Sequence, residues 1–196
     1  MNETNILKHV EVPHVNADFT EMYGKQMELQ ARLGQLPTST VHMAEKCIYW
    51  GHCIRAEIEE LKEWLGTDEI KELQMEAIDI VHFVFNIGIE IGISDVDIYD
   101  IERKYEHETW ELDNLRIVAS TNLLSKHVVD LINLLPWKTW KTYKSASDVA
   151  ALHYAYEKVI VSCLLLCNGC GLGKQDIINM YFAKNKVNIK RQDDGY

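Results

Sequence analysis

The chain has 196 residues, 47% of them hydrophobic and 26% charged, and carries a formal net charge of −10. That length suffices for one domain with a sizeable core, and so acidic a balance argues against a general nucleic-acid or membrane-surface binder. No run of eighteen apolar residues occurs and the opening MNETNILKHVEV lacks an apolar leader core, so a cytoplasmic protein is expected.

Residues 1–17 show no periodicity and contain Pro13, which predicts an irregular arm. Asp18 is placed to cap a helix running to about Leu33, closed by Gly34 and Pro37. Gln26 and Gln30 fall on one face of it. An amide offers a donor and an acceptor to a base edge, and spacing leaves that reading open beside plain exposed helix polars.

Ser39 or Thr40 starts a long second helix, where Trp50, Ile54, Ile58, Leu61 and Leu65 recur at helical steps. Tyr49 and Trp50 are expected in the core. Gly66-Thr67-Asp68 supplies a stop and a cap for a third helix that ends at Gly92. Glu57 and Glu60 lie three residues apart on the second helix, and Glu76 and Asp79 three apart on the third. That spacing puts each pair on one face, and a short turn would bring the four carboxylates together. Asp79 sits among Ile78, Ile80, Val81, Phe83, Val84 and Phe85, so it is expected to be buried, and a buried unpaired carboxylate is costly. A cation resolves that cost, and hard oxygen ligands suit Mg²⁺ or Mn²⁺. The sequence therefore predicts a divalent-metal site from Glu57, Glu60, Glu76 and Asp79, with Glu59, Glu63, Glu69 and Glu72 on a solvated face.

Ser94 caps a charged stretch expected to be a surface helix. Residues 110–135 read as another helix, with Leu112, Leu115, Val118, Leu123, Leu124, Val128, Leu131 and Leu135 as its apolar set and Pro136 as its stop. Residues 137–144 alternate aromatic and basic side chains, which suits either phosphate or base contact or a loop anchored by two indoles. A helix from Ser145 or Ser147 to Cys167, a glycine cluster and a last helix through about Ile189 follow. The five cysteines, Cys47, Cys53, Cys163, Cys167 and Cys170, lie mostly in apolar helical runs. They read as reduced core thiols rather than a zinc site. No alternating strand pattern occurs, so the predicted fold class is all-α. One domain is expected, with residues 95–145 as an accessory helical insertion.

The C-terminus gathers Lys184, Asn185, Lys186, Asn188, Lys190, Arg191 and Gln192 in an otherwise acidic chain, fit for phosphate contacts or for a solvated tail. YFAKNKVNIKRQDDGY resembles the K-N-x-x-N-x-x-R-Q-x-x-G-Y signature of the dimeric dUTPases and the bacteriophage dCTP pyrophosphatase/dUTPases. Those belong to the all-α NTP pyrophosphatase superfamily, which also holds MazG-like enzymes. The superfamily's E-x-x-E…E-x-x-D pattern is matched by Glu57, Glu60, Glu76 and Asp79. The helix MEAIDIVHFVFNIGIEIGIS is similar to the family's metal helix, with His82, Phe83 and Asn86 in register, and QMELQARL resembles its base-side helix at Gln26 and Gln30. The likeness covers about 22–94 and 171–196. One departure is the W-K-x-W-K element, which lies at 137–141 rather than soon after the first E-x-x-E.

The resemblance implies a helical-bundle homodimer that hydrolyses dUTP to dUMP and pyrophosphate, with dCTP or another deoxynucleotide as the alternative substrate. A nucleotide sensor is the alternative from another class. It implies two or more Mg²⁺ on Glu57, Glu60, Glu76 and Asp79, attack at the α-phosphorus, and Glu60, or else Glu57, as general base. Lys184, Lys186 and Arg191 would neutralise phosphates, with Asn188 and Tyr196 closing the site. Gln26, Gln30, His82, Asn86 and Asn185 are the candidates for base or sugar contacts.

Overall fold

A computed structural model describes residues 12–34, 40–104, 111–135 and 147–194. Seven helices follow one another there: α1 (Phe19–Arg32), α2 (Thr40–Glu63), α3 (Ile70–Ile91), α4 (Asp95–Lys104), α5 (Asn114–Leu134), α6 (Ser147–Gly169) and α7 (Lys174–Asp193). No strand occurs among the described residues, and the fold is all-α.

The centre of the bundle is α3, which packs against α1, α2, α6 and α7. Its sequence explains the position: Ile78, Ile80, Val81, Val84, Phe85, Ile87 and Ile89 are all buried, leaving no wet face over its second half. Gly88 permits the closest approach, since a Cβ there would lie 2.5 Å from the Tyr156 hydroxyl of α6. Gly92, at φ +77°, ends α3 in the left-handed conformation that glycine adopts without strain.

Local signals explain several boundaries. Asp18 and Glu21 form a reciprocal capping box on α1, with Asp18 Oδ1 accepting the Glu21 N–H at 2.8 Å and Glu21 Oε2 accepting the Asp18 N–H at 3.1 Å. Between α2 and α3, Gly66 takes φ +76°. The cap of α3 differs from expectation: its N-cap residue is Glu69, while Thr67 Oγ1 donates to the Trp64 carbonyl at 2.8 Å and accepts the Glu69 N–H at 3.2 Å.

Other expectations are corrected by packing. On α5 the buried apolar residues are Ile117, Leu124, Val128 and Leu131, followed by Leu135, whereas Leu112, Leu115, Val118 and Leu123 are exposed. Among the described helices it leans chiefly on α6 and α2, and its other apolar side chains face outward. Tyr49 is 58% exposed, although its neighbour Trp50 is buried as expected. The presumed surface helix α4 buries Ile98, Ile101 and Glu102, and Glu102 pairs with Lys174 and accepts the Phe19 N–H at 3.3 Å. Glu72, assigned to the solvated face, is buried. The last helix runs on to Asp193, so the basic and amide cluster occupies helical turns rather than a tail.

The cysteines are core thiols as expected: four are buried, Cys53 is half-buried and all are free. Burial pushes the Cys47 thiol up to about 12. Val149–Gly169 is long and apolar enough to cross a membrane by length and composition, but α6 packs against both α3 and α5 as a core helix.

Candidate functional site

The connection between α2 and α3 is short, so the two pack as an αα-hairpin. The spacing read from the sequence then takes effect. Glu57, Glu76 and Asp79 each bring a carboxylate oxygen to one place, all within 4.8 Å of one another. All three are half-buried. Burial, followed by the charges of Asp79, Glu60 and Glu76, pushes the Glu57 carboxyl up to about 9. Burial and then the charge of Asp79 push Glu76 up to about 7. Burial first, and then negative charge crowded without enough positive charge beside it, favours the protonated forms.

Among the described residues, one lysine pairs directly with the corner. The Lys184 ammonium of α7 donates to Asp79 Oδ2 at 2.6 Å, and the two side chains are only 6% and 15% exposed. Asp79 is therefore paired, which corrects the expectation that its burial is uncompensated within the protein. One ammonium against three carboxylates still leaves the corner acidic, and its donor set is all hard oxygen. Those observations fit a divalent cation. Glu60 lies outside the closely spaced triad. It is exposed and lines an adjoining cavity of about 490 Å³, together with Glu76, Asp79, Lys184, Trp64 and Met180.

A second polar group is built around Gln26. Its Nε2 donates to Asn86 Oδ1 at 2.6 Å, and its Oε1 accepts from the Tyr181 hydroxyl at 2.8 Å. His82 Nδ1 lies 2.8 Å from the same Oε1. Burial, and then the Lys184 charge, push the His82 imidazole down to about 3, so the ring is neutral. A carbonyl oxygen can only accept, so Nδ1 carries the proton and donates to Gln26, leaving Nε2 as an acceptor. The ring stacks on Tyr181, with centroids 4.1 Å apart and 19° between planes. His82 Nε2, Gln30 Oε1 and Asn185 Nδ2 are buried without a hydrogen-bond partner among the described residues.

Gln26 and Gln30 are thus buried, and the reading of them as exposed helix polars is overturned. Along α7, Lys184 and Asn185 are buried, Asn188 and Arg191 half-buried and Lys186 exposed, and of these only Lys184 lines the cavity. Tyr196 and residues 137–141 lie outside the described residues. Tyr181 escaped the sequence reading, although it stands four residues before Asn185 and hence on the same helix face. So did the Lys184–Asp79 pair, which joins residues 105 apart.

The geometry first defines a class: an all-α protein whose central hairpin carries an acidic candidate metal centre beside a buried lysine. A sequence model of the dUTPase family matches residues 18–196, and the chain belongs to that family. Membership makes it a hydrolase of the nucleotide pyrophosphatase type. No curated protein and no solved structure matches the chain.

Proposed function

We propose that the protein hydrolyses dUTP to dUMP and pyrophosphate in a Mg²⁺-dependent reaction, keeping uracil out of the deoxynucleotide pool. One observation carries the reading: the acidic corner and the Gln26 group lie one turn apart on two helices at once. Asp79 and His82 are three residues apart on α3, and Tyr181 and Lys184 three apart on α7. One turn is about 5.4 Å, a spacing that a deoxyribose bridges between phosphate chemistry and base recognition.

Glu57, Glu76 and Asp79 would hold Mg²⁺, or Mn²⁺, with Glu60 as a further ligand, and the ion supplies charge neutralisation and water activation when bound. Glu60 is the general base, because it faces the cavity while Glu57 is drawn into the triad. Lys184 moves its donor from Asp79 to a phosphate oxygen of the substrate. Arg191, Lys186, Asn188 and Tyr196 bind the remaining phosphate oxygens.

Base choice follows from the polarity of the Gln26 group. His82 Nε2 accepts, and Asn86, its Oδ1 engaged by Gln26, keeps its amide donor. Uracil presents N3–H beside a carbonyl and satisfies both. Cytosine presents a lone pair at N3, which opposes the lone pair of Nε2. Gln30 and Asn185 contribute to the base and sugar contacts.

The chain acts in the cytoplasm as a homodimer. Leu115, 83% exposed, and Val118 and Val129, also exposed, give α5 an apolar face suited to a second copy; sedimentation analysis reads the state directly. The deciding experiment is pyrophosphate release from each deoxynucleoside triphosphate, first with Mg²⁺ and then with EDTA. Release from dUTP alone, abolished by EDTA, is the expected result. Equal release from dCTP would move the assignment to a dCTP/dUTP pyrophosphatase. Silence across the panel from folded protein would leave a nucleotide sensor.

A further inference from the structure

The family match begins at residue 18, yet the residues just before it are built into the acidic cavity. The arm formed by residues 12–17 is tied to α7 at Val15. The Val15 N–H donates to Asn179 Oδ1 at 2.8 Å, and the Val15 carbonyl accepts from Gln175 Nε2 at 2.9 Å. Gln175 Nε2 also reaches Asn179 Oδ1 at 2.9 Å, which locks the two anchors together. Both backbone groups of Val15 are therefore satisfied by one helix face, and the side chains of Val15 and Ala17 pack on the core.

From this anchor the chain reaches the cavity itself. Val12 lines the space bordered by Glu60, Glu76, Asp79 and Lys184, and Asn179 lines it too. One amide thus borders the cavity and fixes the segment that walls it. Val12 is 43% exposed, so its methyl groups are not there to fill the core. An apolar wall opposite carboxylates displaces water and strengthens their hold on a cation or a metal-bearing phosphate.

We infer that the arm at residues 12–17 is a wall of the substrate site, with Val12 bounding the acidic cavity and Gln175 and Asn179 acting as positioning residues. The identity of the substrate rests on the dUTP reading above; the placement of the wall does not.

The test puts opposite charges at position 12 of the full-length chain. Across a cavity of this size a charge stays within about one Debye length, about 8–10 Å. Val12→Lys is expected to weaken Mn²⁺ binding about threefold in nucleotide-free protein, and Val12→Glu to strengthen it about threefold. Melting temperature and helical circular dichroism should stay at the wild-type values, because the residue is exposed. For dUTP turnover, both substitutions should move KM more than kcat. Equal Mn²⁺ affinities in the two variants would overturn the inference. Repeating the pair in a Gln175→Ala/Asn179→Ala background should abolish the contrast, and a contrast that persists would remove the positioning role. A wild-type chain that is inert to every deoxynucleotide but keeps the Lys/Glu contrast would sink the dUTP reading alone.

Discussion

The acidic corner and the Gln26 group lie one turn apart and solve the same physical problem in opposite ways. The corner is half-buried and short of positive charge, so Glu57 and Glu76 hold protons that they would otherwise lose. The Gln26 group is fully buried and balances itself through hydrogen bonds among Gln26, His82, Asn86 and Tyr181. A site left under-compensated is one that a cation can enter, whereas a hydrogen-bonded network fixes the orientation of the groups it leaves open, His82 Nε2 among them. Substitutions in the corner should therefore cost activity with little stability, and substitutions at Gln26 should cost both.

The largest expected effect tests the first half of that contrast. Asp79→Asn should lower kcat by at least about 10²-fold, the scale of losing one strong electrostatic contact to a transition state, and should weaken Mn²⁺ binding. The helical fold is expected to persist, since Lys184 keeps the charge of Glu76 near it. Glu60→Gln should also lower kcat, by about 10²–10⁴-fold, the range for a general base, while Mn²⁺ affinity drops much less than in Asp79→Asn. Similar metal losses in the two variants would make Glu60 a ligand first and a base second.

Gln26→Ala probes the other half. It strands the Tyr181 hydroxyl, His82 Nδ1 and Asn86 Oδ1 in the interior, and unsatisfied buried polar groups cost about 1–3 kcal/mol. For a chain of this size that lowers Tm by about 2–12 °C, with a rise in KM for dUTP. A variant with wild-type Tm would show that water replaces the amide and that the network is not rigid.

The two regions were also unequally legible in the sequence. The carboxylates announce themselves because each pair sits three apart on one helix, and a helix turn converts that spacing into a shared face without reference to the rest of the fold. Helix order and the caps at Asp18 and Gly92 were readable for the same local reason. The Gln26 group draws one residue from α1, two from α3 and one from α7, with bonds spanning 56 to 155 residues. No local pattern specifies such a meeting, and Gln26 by itself is indistinguishable from a solvated polar. The outward-facing leucines of α5 were misassigned for a related reason: apolar periodicity marks a stripe but not which neighbour covers it.

The smallest effect is the dependence of metal-free stability on pH, and its sign separates the two regions. Glu57 and Glu76 have folded-state values of about 9 and about 7, above the ordinary glutamate value. A carboxyl raised on folding binds its proton more tightly in the native state than in the unfolded one. Its stabilisation is then complete below the unfolded pKa and is lost as pH climbs through the folded value. Between pH 5 and 9 the native corner holds more protons than the unfolded chain, so metal-free Tm should fall across that window. His82 opposes part of this slope below about pH 7: it is neutral in the native state, whereas its unfolded counterpart binds a proton below about pH 6.5. Its own contribution makes stability rise with pH there, so the decline is least offset from pH 7 to 9. Saturating Mg²⁺ should flatten the decline, since a bound cation replaces the protons as counter-charge. The same competition requires Mn²⁺ affinity to rise with pH over the same window. Thermal scans with and without Mg²⁺ at pH 5, 7 and 9 read both effects together. A metal-free Tm that climbs from pH 7 to 9 would place the dominant titration somewhere other than the acidic corner, and the contrast between a proton-holding corner and a self-balanced network would have to be abandoned.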